Sequence, residues 1–327
     1  MSHRFRRWLQ GSWVTALVAS VVALPAAAQT APSLLLKSWH EYPHIADTFD
    51  EPIFIDGGHT QDGEDIDLLV YDSYGRIKFD RNSPDPNMWL GYRVMAIGMD
   101  ENIPNLPGDL TDLSVALAMQ LGESSDNWRW SLALGAGTAN DGHWSNTDAI
   151  YGIVTLNGTH RIDEDSAIDL GVFYNGNRTL IPDVPLPYAM YRYKLSDEFA
   201  YRVGIPYSGL SWDPAEEVSV DLEYSFPTNL LANVSLHLDK HWSIFGEFAR
   251  QVDGFFLNDE GHQRVFYEAN RISGGVRFMK APLIDIRAGV GFAIDQEFAS
   301  GFDIRDLDSI AKPSDELMFF FTVQGTF

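Results

Sequence analysis

The chain closes on "ELMFFFTVQGTF", residues 316–327, whose side chains fall into two sets when counted in steps of two. Phe319, Phe321, Val323, Gly325 and Phe327 make one set; Met318, Phe320, Thr322, Gln324 and Thr326 make the other. Successive side chains of an extended strand point to opposite faces, so the segment reads as a strand with one greasy face and one more polar face.

Working back from the terminus, the same period returns again and again. Met88, Leu90, Tyr92, Val94 and Ala96 oppose Gly91 and Arg93, and Leu113, Val115, Leu117, Met119 and Leu121 oppose Ser114, Ala116, Ala118 and Gln120. Trp128, Trp130, Leu132 and Leu134 oppose Arg129, Ser131, Ala133 and Gly135. Half-buried strands of soluble sandwiches alternate too. These runs, however, reach about ten residues where ordinary strands have about five or six, and their apolar faces carry aromatic residues near the ends. Strands that cross a bilayer at a tilt need about nine to eleven residues and bear aromatic girdles at both interfaces.

The connections alternate as well. Short turns such as "IDEDS", "SDE", "DKH" and "MKAP" exchange with longer acidic segments such as "DENIPNLPGDLTD", "TANDGHWSNTD" and "DQEFASGFDIRDLDSIAKPSD". Short turns on one side and long loops on the other are what an antiparallel up-and-down transmembrane barrel requires. Counting from Met88 gives about 12 to 14 crossings, and "DIDLLVYDSYGRIKF" is left over as a plug element or hairpin because it would spoil the even parity.

At the other end, Arg4, Arg6 and Arg7 precede the apolar run "WVTALVASVVALPAAA", with small residues at Ala26 and Ala28. This is the pattern of a secretory signal over residues 1–28, cleaved after Ala28. Residues 29–64, acidic and without clear period, read as a periplasmic arm or plug, and residues 65–327 as the barrel. The chain has no cysteine, which excludes disulfides, thiol catalysis and cysteine-ligated metal. Its formal net charge of -23 argues against nucleic-acid binding, which needs a basic surface.

A signal, alternating strands and a terminal phenylalanine together resemble a Gram-negative outer-membrane β-barrel protein. The resemblance implies that Phe319, Phe321, Val323 and Phe327 form the signal read by the barrel-assembly machinery, although Gly325 departs from the large apolar residue usual there. Gly204, Pro206, Trp212 and Pro214 are similar to a Gly-x-Pro turn followed by an aromatic-x-Pro stop in a group of bacterial outer-membrane barrels of unassigned function. Outer-membrane lipids and lipopolysaccharide are the implied surroundings.

Hydrocarbon cannot satisfy backbone polar groups, so a membrane sheet must close, and closure puts the large apolar face outside. The inward set is then Arg93, Arg129, Asp169, Arg192, Lys194, Arg202, Asp221, Glu223, Glu247, Arg271, Arg277, Asp285 and Arg287. For these charges themselves, pairing across strands to fill a narrow barrel is the plainer expectation beside lining a passage; for the protein as a whole, a passive channel or transporter for small polar solutes is expected first, a structural or surface-binding barrel with a filled lumen second, and a membrane-embedded lipid-modifying enzyme last. No H-E-x-x-H, G-x-S-x-G or Walker pattern is present, and His237, Ser235 and Ser243 fall on the inward set. No enzyme, cofactor or metal is expected. An enzyme would need an outward polar pocket that breaks the apolar belt, and the alternation shows none. If the lumen is wet throughout, Ala116→Arg should be tolerated where Leu117→Arg is not.

Overall fold

The computed structural model describes residues 45–61, 63–80, 87–100, 103, 106–123, 128–144, 146–258, 263–280 and 284–326. The signal segment 1–28, most of the arm and Phe327 lie outside the described residues.

The chain folds into β1 (Ala46–His59), β2 (Asp65–Lys78), β3 (Met88–Met99), β4 (Asp109–Glu123), β5 (Trp128–Asn140), β6 (Ile150–Arg161), β7 (Ser166–Asn175) and β8 (Leu186–Lys194). These are followed by β9 (Phe199–Ile205), β10 (Tyr207–Ala215), β11 (Val218–Ser225), β12 (Asn229–His237), β13 (Trp242–Phe256), β14 (Arg264–Lys280), β15 (Ile284–Gly301), β16 (Leu307–Ala311) and β17 (Glu316–Thr326). Each strand from β1 to β15 pairs antiparallel with the next, β15 pairs with β17, and β17 returns to β1 with Asp47 opposite Thr326. The short β16 pairs only with the outer end of β15. The wall is therefore a closed barrel of 16 strands.

This corrects the expected 12 to 14. Fourteen crossings do start at Met88; the missing pair is β1 and β2. Asp50, Pro52, Asp56, Gly57 and Gly58 interrupt the alternation of β1, so it reads as an irregular arm, and without it β2 has no partner to restore even parity. Ala46–His59, inside the segment read as an arm or plug, is a wall strand.

The chain enters and Thr326 ends at the same rim, which also carries the short turns and is thus the periplasmic side. Those turns are set by local side chains. Asp239 Oδ1 accepts from the backbone N–H groups of His241 at 2.7 Å and Trp242 at 2.9 Å, and the two bonds hold its carboxyl below the usual range. Asp163 closes the β6–β7 turn in the same way, accepting from Asp165 N–H.

Cross-strand partners share a face, so the register assigns sides. Arg93 stands opposite Tyr74 and Ser114, while Leu90 stands opposite Ile77 and Leu117. The second set continues around the cylinder as Val115, Leu134, Val154, Leu170, Val203, Ile272, Val290, Phe319 and Phe321, all exposed. A soluble protein rarely shows so broad an apolar surface. A closed sheet with this belt belongs in a bilayer.

At one place the belt breaks. Asp50 and Ser73 are opposite one another on the outer face, and Tyr71 Oη donates to Asp50 at 2.8 Å. A Cβ at Gly75 would lie 2.7 Å from the Tyr92 ring, so only glycine lets that ring lie across the wall here. Beside it, Pro52 lacks an N–H, and the β1–β17 ladder skips Glu51 and Pro52. Alternation taken strand by strand did not show this break, because Asp50 belongs to the strand that was missed.

The interior also departs from a uniformly hydrophilic lumen. Inward Ile53, Ile55, Leu68, Val70, Met95, Ile97, Leu110, Phe255, Val265, Phe298, Met318 and Phe320 join one buried cluster in the outer half of β1–β4, β13–β15 and β17. The end of β13 leans inward until Phe256 makes a parallel bridge with Asn140 of β5, and Asn258 N–H donates to Asp141 across the same gap.

Candidate lumenal site

Below that apolar plug the inward charges are paired. Arg93 on β3 donates to Asp72 on β2 at 3.2 Å and to Asp253 on β13 at 2.9 Å, with Asp112 on β4 at 3.9 Å. Strands β3 and β13 lie on opposite walls, so the Arg93–Asp253 bond spans the lumen. Tyr151 Oη donates to Asp112 at 2.6 Å, Asn177 Nδ2 donates to it at 3.3 Å, and Gln251 Nε2 donates to Asp253 at 2.6 Å. A guanidinium taken out of water needs such a crowd of acceptors, since an unpaired buried ion is costly.

A second group stands on the same side. Arg271 approaches Glu51 at 3.6 Å, Arg287 approaches Glu247 at 3.5 Å, and Arg277 forks onto Asp285 with its shortest bond at 2.5 Å. Nearer the periplasm, Arg76 and Asp47 form a fully buried pair at 2.8 Å. These contacts fill this sector of the barrel.

Around β7–β11 the arrangement differs. Arg192 forks onto Asp169 at 2.7 and 3.2 Å, Arg202 meets Glu223 at 2.7 Å, and Ser211 donates to Asp221 at 2.9 Å. Here the side chains of Arg192, Arg202 and Glu223 are 37%, 32% and 28% exposed, although they point inward. Water reaches them. Lys194 turns to Asp197 at the periplasmic rim, and Arg129 lies inward near the periplasmic end of β5.

Above this wetted sector a cavity opens toward the outside. Together with the open solvent at its mouth it spans about 810 Å³. Arg93, Asp112 and Asp253 form its floor; Phe173, Asn175, Tyr207, Ser225 and Asn229 stand on its walls, and the β7–β8 loop supplies Asn177, Arg178 and Thr179. That loop is fixed by its own chemistry. Arg178 donates to the carbonyls of Leu180, Ile181 and Val184, and its guanidinium lies 4.9 Å from the centre of the Phe173 ring. Arg264 reaches from β14 to the carbonyls of Phe302 and Arg178, and Asp303 accepts from Ile181 N–H at 3.2 Å. Arg305 forks onto Asp303, and those bonds hold its carboxyl at about 2.

The structure thus brings Glu247, Arg271, Arg277, Asp285 and Arg287 into one filled sector and Asp169, Arg192, Arg202, Asp221 and Glu223 into the wetted one. His237 and Ser243 share an inward hydrogen bond at 2.8 Å. Phe319 and Phe321 face outward, and Val323 shares their side. Sequence reading missed Glu51, Asp72, Asp112 and Asp253. The alternation of β4 already put Asp112 on the face of Ser114 and Ala116, and that signal went unused because the residue sits at a loop edge.

A closed, lipid-belted cylinder with both ends of its wall at the periplasmic rim defines an outer-membrane β-barrel protein of the Gram-negative kind. No protein-family model matches the chain, and no curated protein matches it. Among solved structures it is similar to a Pseudomonas aeruginosa FadL homologue, at 11% identity over 94% of this chain and 100% of that one, with a TM-score of 0.37. It is also similar to the TodX monoaromatic hydrocarbon channel, at 8% identity over 90% and 94% of the two chains and a TM-score of 0.37. A bacterial polysaccharide outer-membrane secretin aligns at 11% identity over 87% and 99%, with a TM-score of 0.35. Similarity at this level extends to the barrel architecture and no further.

Proposed function

We propose that the protein is a narrow, gated passage for small polar solutes, with an outward-facing cavity that receives them and a wetted track along β7–β11. The observation that carries this reading is that the inward-facing side chains of Arg192, Arg202 and Glu223 beneath the cavity are partly exposed. A barrel that served only as a filled post would bury these groups, as it buries Arg76 and Asp47 on the other side. The Arg93–Asp253 bond is the gate in this reading.

A second reading, a filled surface barrel, is favoured by the apolar plug of the outer half. Swelling of liposomes that hold the full mature protein separates the two. Slow swelling in small polar solutes, accelerated by Arg93→Met, supports the passage. No swelling in either form of the protein overturns it and leaves the filled barrel.

A further inference from the structure

The hydrogen-bonding groups that the cavity leaves both free and open to solvent are of one kind. Among the described residues, the amide nitrogens of Asn175 and Asn229 make no hydrogen bond, nor do the hydroxyls of Ser225 and Thr179. By contrast the charged groups that reach the cavity surface are engaged: Arg93 by carboxylates, Arg178 by carbonyls at Nε and Nη2 with its partnerless Nη1 buried away from the cavity, Asp112 by Tyr151 and Asn177, and Asp253 by Arg93 and Gln251.

What remains to meet a solute is therefore neutral, and it comes from four separate parts of the rim: the end of β7, the β7–β8 loop, the end of β11 and the start of β12. Amide N–H groups donate, and hydroxyls both donate and accept. A partner that satisfies all of them must offer several groups able to do both, distributed around its edge. The Phe173 and Phe226 side chains add apolar surface to the same lining, suited to a flat C–H face.

We infer that the cavity binds a small neutral saccharide, its hydroxyls on Asn175, Thr179, Ser225 and Asn229 and its C–H face on Phe226. An alkyl or aryl solute would leave the amides dry, which a site built to hydrogen-bond rejects strongly. A cation would suit the floor but leave the amide donors unmatched.

The inference rests on the passage reading for the cavity's role, yet the two are tested apart. Saturation-transfer NMR on the full mature barrel in detergent, with glucose, maltose, glycine betaine and benzoate as probes, should show saturable binding of a sugar alone. Ser225→Val and Thr179→Val, which remove one hydroxyl each and leave the strand ladder intact, should weaken it by about tenfold, while Ser219→Val on the lower wall should not. Unchanged heat-modifiable mobility on gels establishes that each variant is folded. Binding of betaine or benzoate in place of the sugars overturns the assignment, as does sugar binding indifferent to both rim variants. Swelling with polar solutes but no sugar binding removes the saccharide and keeps the passage; saturable, rim-sensitive sugar binding without swelling keeps the saccharide and removes the passage.

Discussion

The two sides of this barrel solve different problems. From β13 through β15 the strands have 15, 17 and 18 residues, and their interior is packed with apolar side chains and closed ion pairs. From β8 through β12 they have 9, 7, 9, 8 and 9 residues, end in tight turns at Pro206 and Phe226–Pro227, and carry half-exposed charges inside. One side is packed shut, and the low wall leaves inward charges within reach of water. A pore evenly polar all round would have neither the apolar plug nor the sheltered cavity.

The sharpest way to break this contrast is to add a charge on each side. Leu117 faces lipid, and an arginine there costs about 2 to 4 kcal/mol at mid-depth. Ala116 was expected to tolerate one, but it is buried against Trp89, Ala118 and Ala133 in the filled sector. Both Leu117→Arg and Ala116→Arg should therefore abolish the heat-modifiable form on gels, whereas Ser219→Lys, inward on the wetted wall, should keep it.

Next in size is the removal of one partner from an ion pair. Arg93→Met strands three carboxylates in the lumen and should cost about 3 to 5 kcal/mol in urea unfolding, with faster swelling in the fraction that inserts. Arg202→Met removes a pair that water already screens and should cost no more than about 1 kcal/mol. Equal losses would mean that the two sectors are equally dry.

The loop latch is smaller again and depends on pH. Asp303 is held at about 2, below the range it has in an unfolded chain, so its contribution is present above about pH 4 and is lost as pH falls through about 2. Protease nicking of the β7–β8 loop should stay constant from neutral pH to about 4. Asp303→Asn should show faster nicking at every pH in that range.

Least of all, Asp50→Leu paired with Tyr71→Phe should leave the unfolding midpoint unchanged or slightly raised, because both partners of one outer-face hydrogen bond are replaced by apolar groups together. A large loss would show that the break in the belt is needed for assembly.

Much of the wall was legible in the sequence. The crossings from Met88 onward stand out because a large outward residue alternates with a small or charged inward one, as with Leu117 beside Ala116. Where inward residues are also apolar, as at Met95, Ile97, Leu68 and Val70, the alternation flattens into a continuous run and the plug cannot be told from the belt. Register shifts add to this: the bulges at Gln120/Gly122 and Glu268/Asn270 reverse the parity beyond them. The cavity was not legible, because Asn175, Ser225 and Asn229 meet only when the low rim folds around the lumen.

The shortness of β9, at seven residues, has a consequence for the membrane itself. Tilted at about 40°, seven residues rise only about 18 Å, against an apolar band about 25 Å tall in barrels of this kind. Lipid must pinch inward along this flank or the cylinder must lean toward it, at a cost of a fraction of a kcal/mol for each ångström of mismatch. The bilayer is thus drawn down on this flank, and the cavity mouth stands beside its thinnest part.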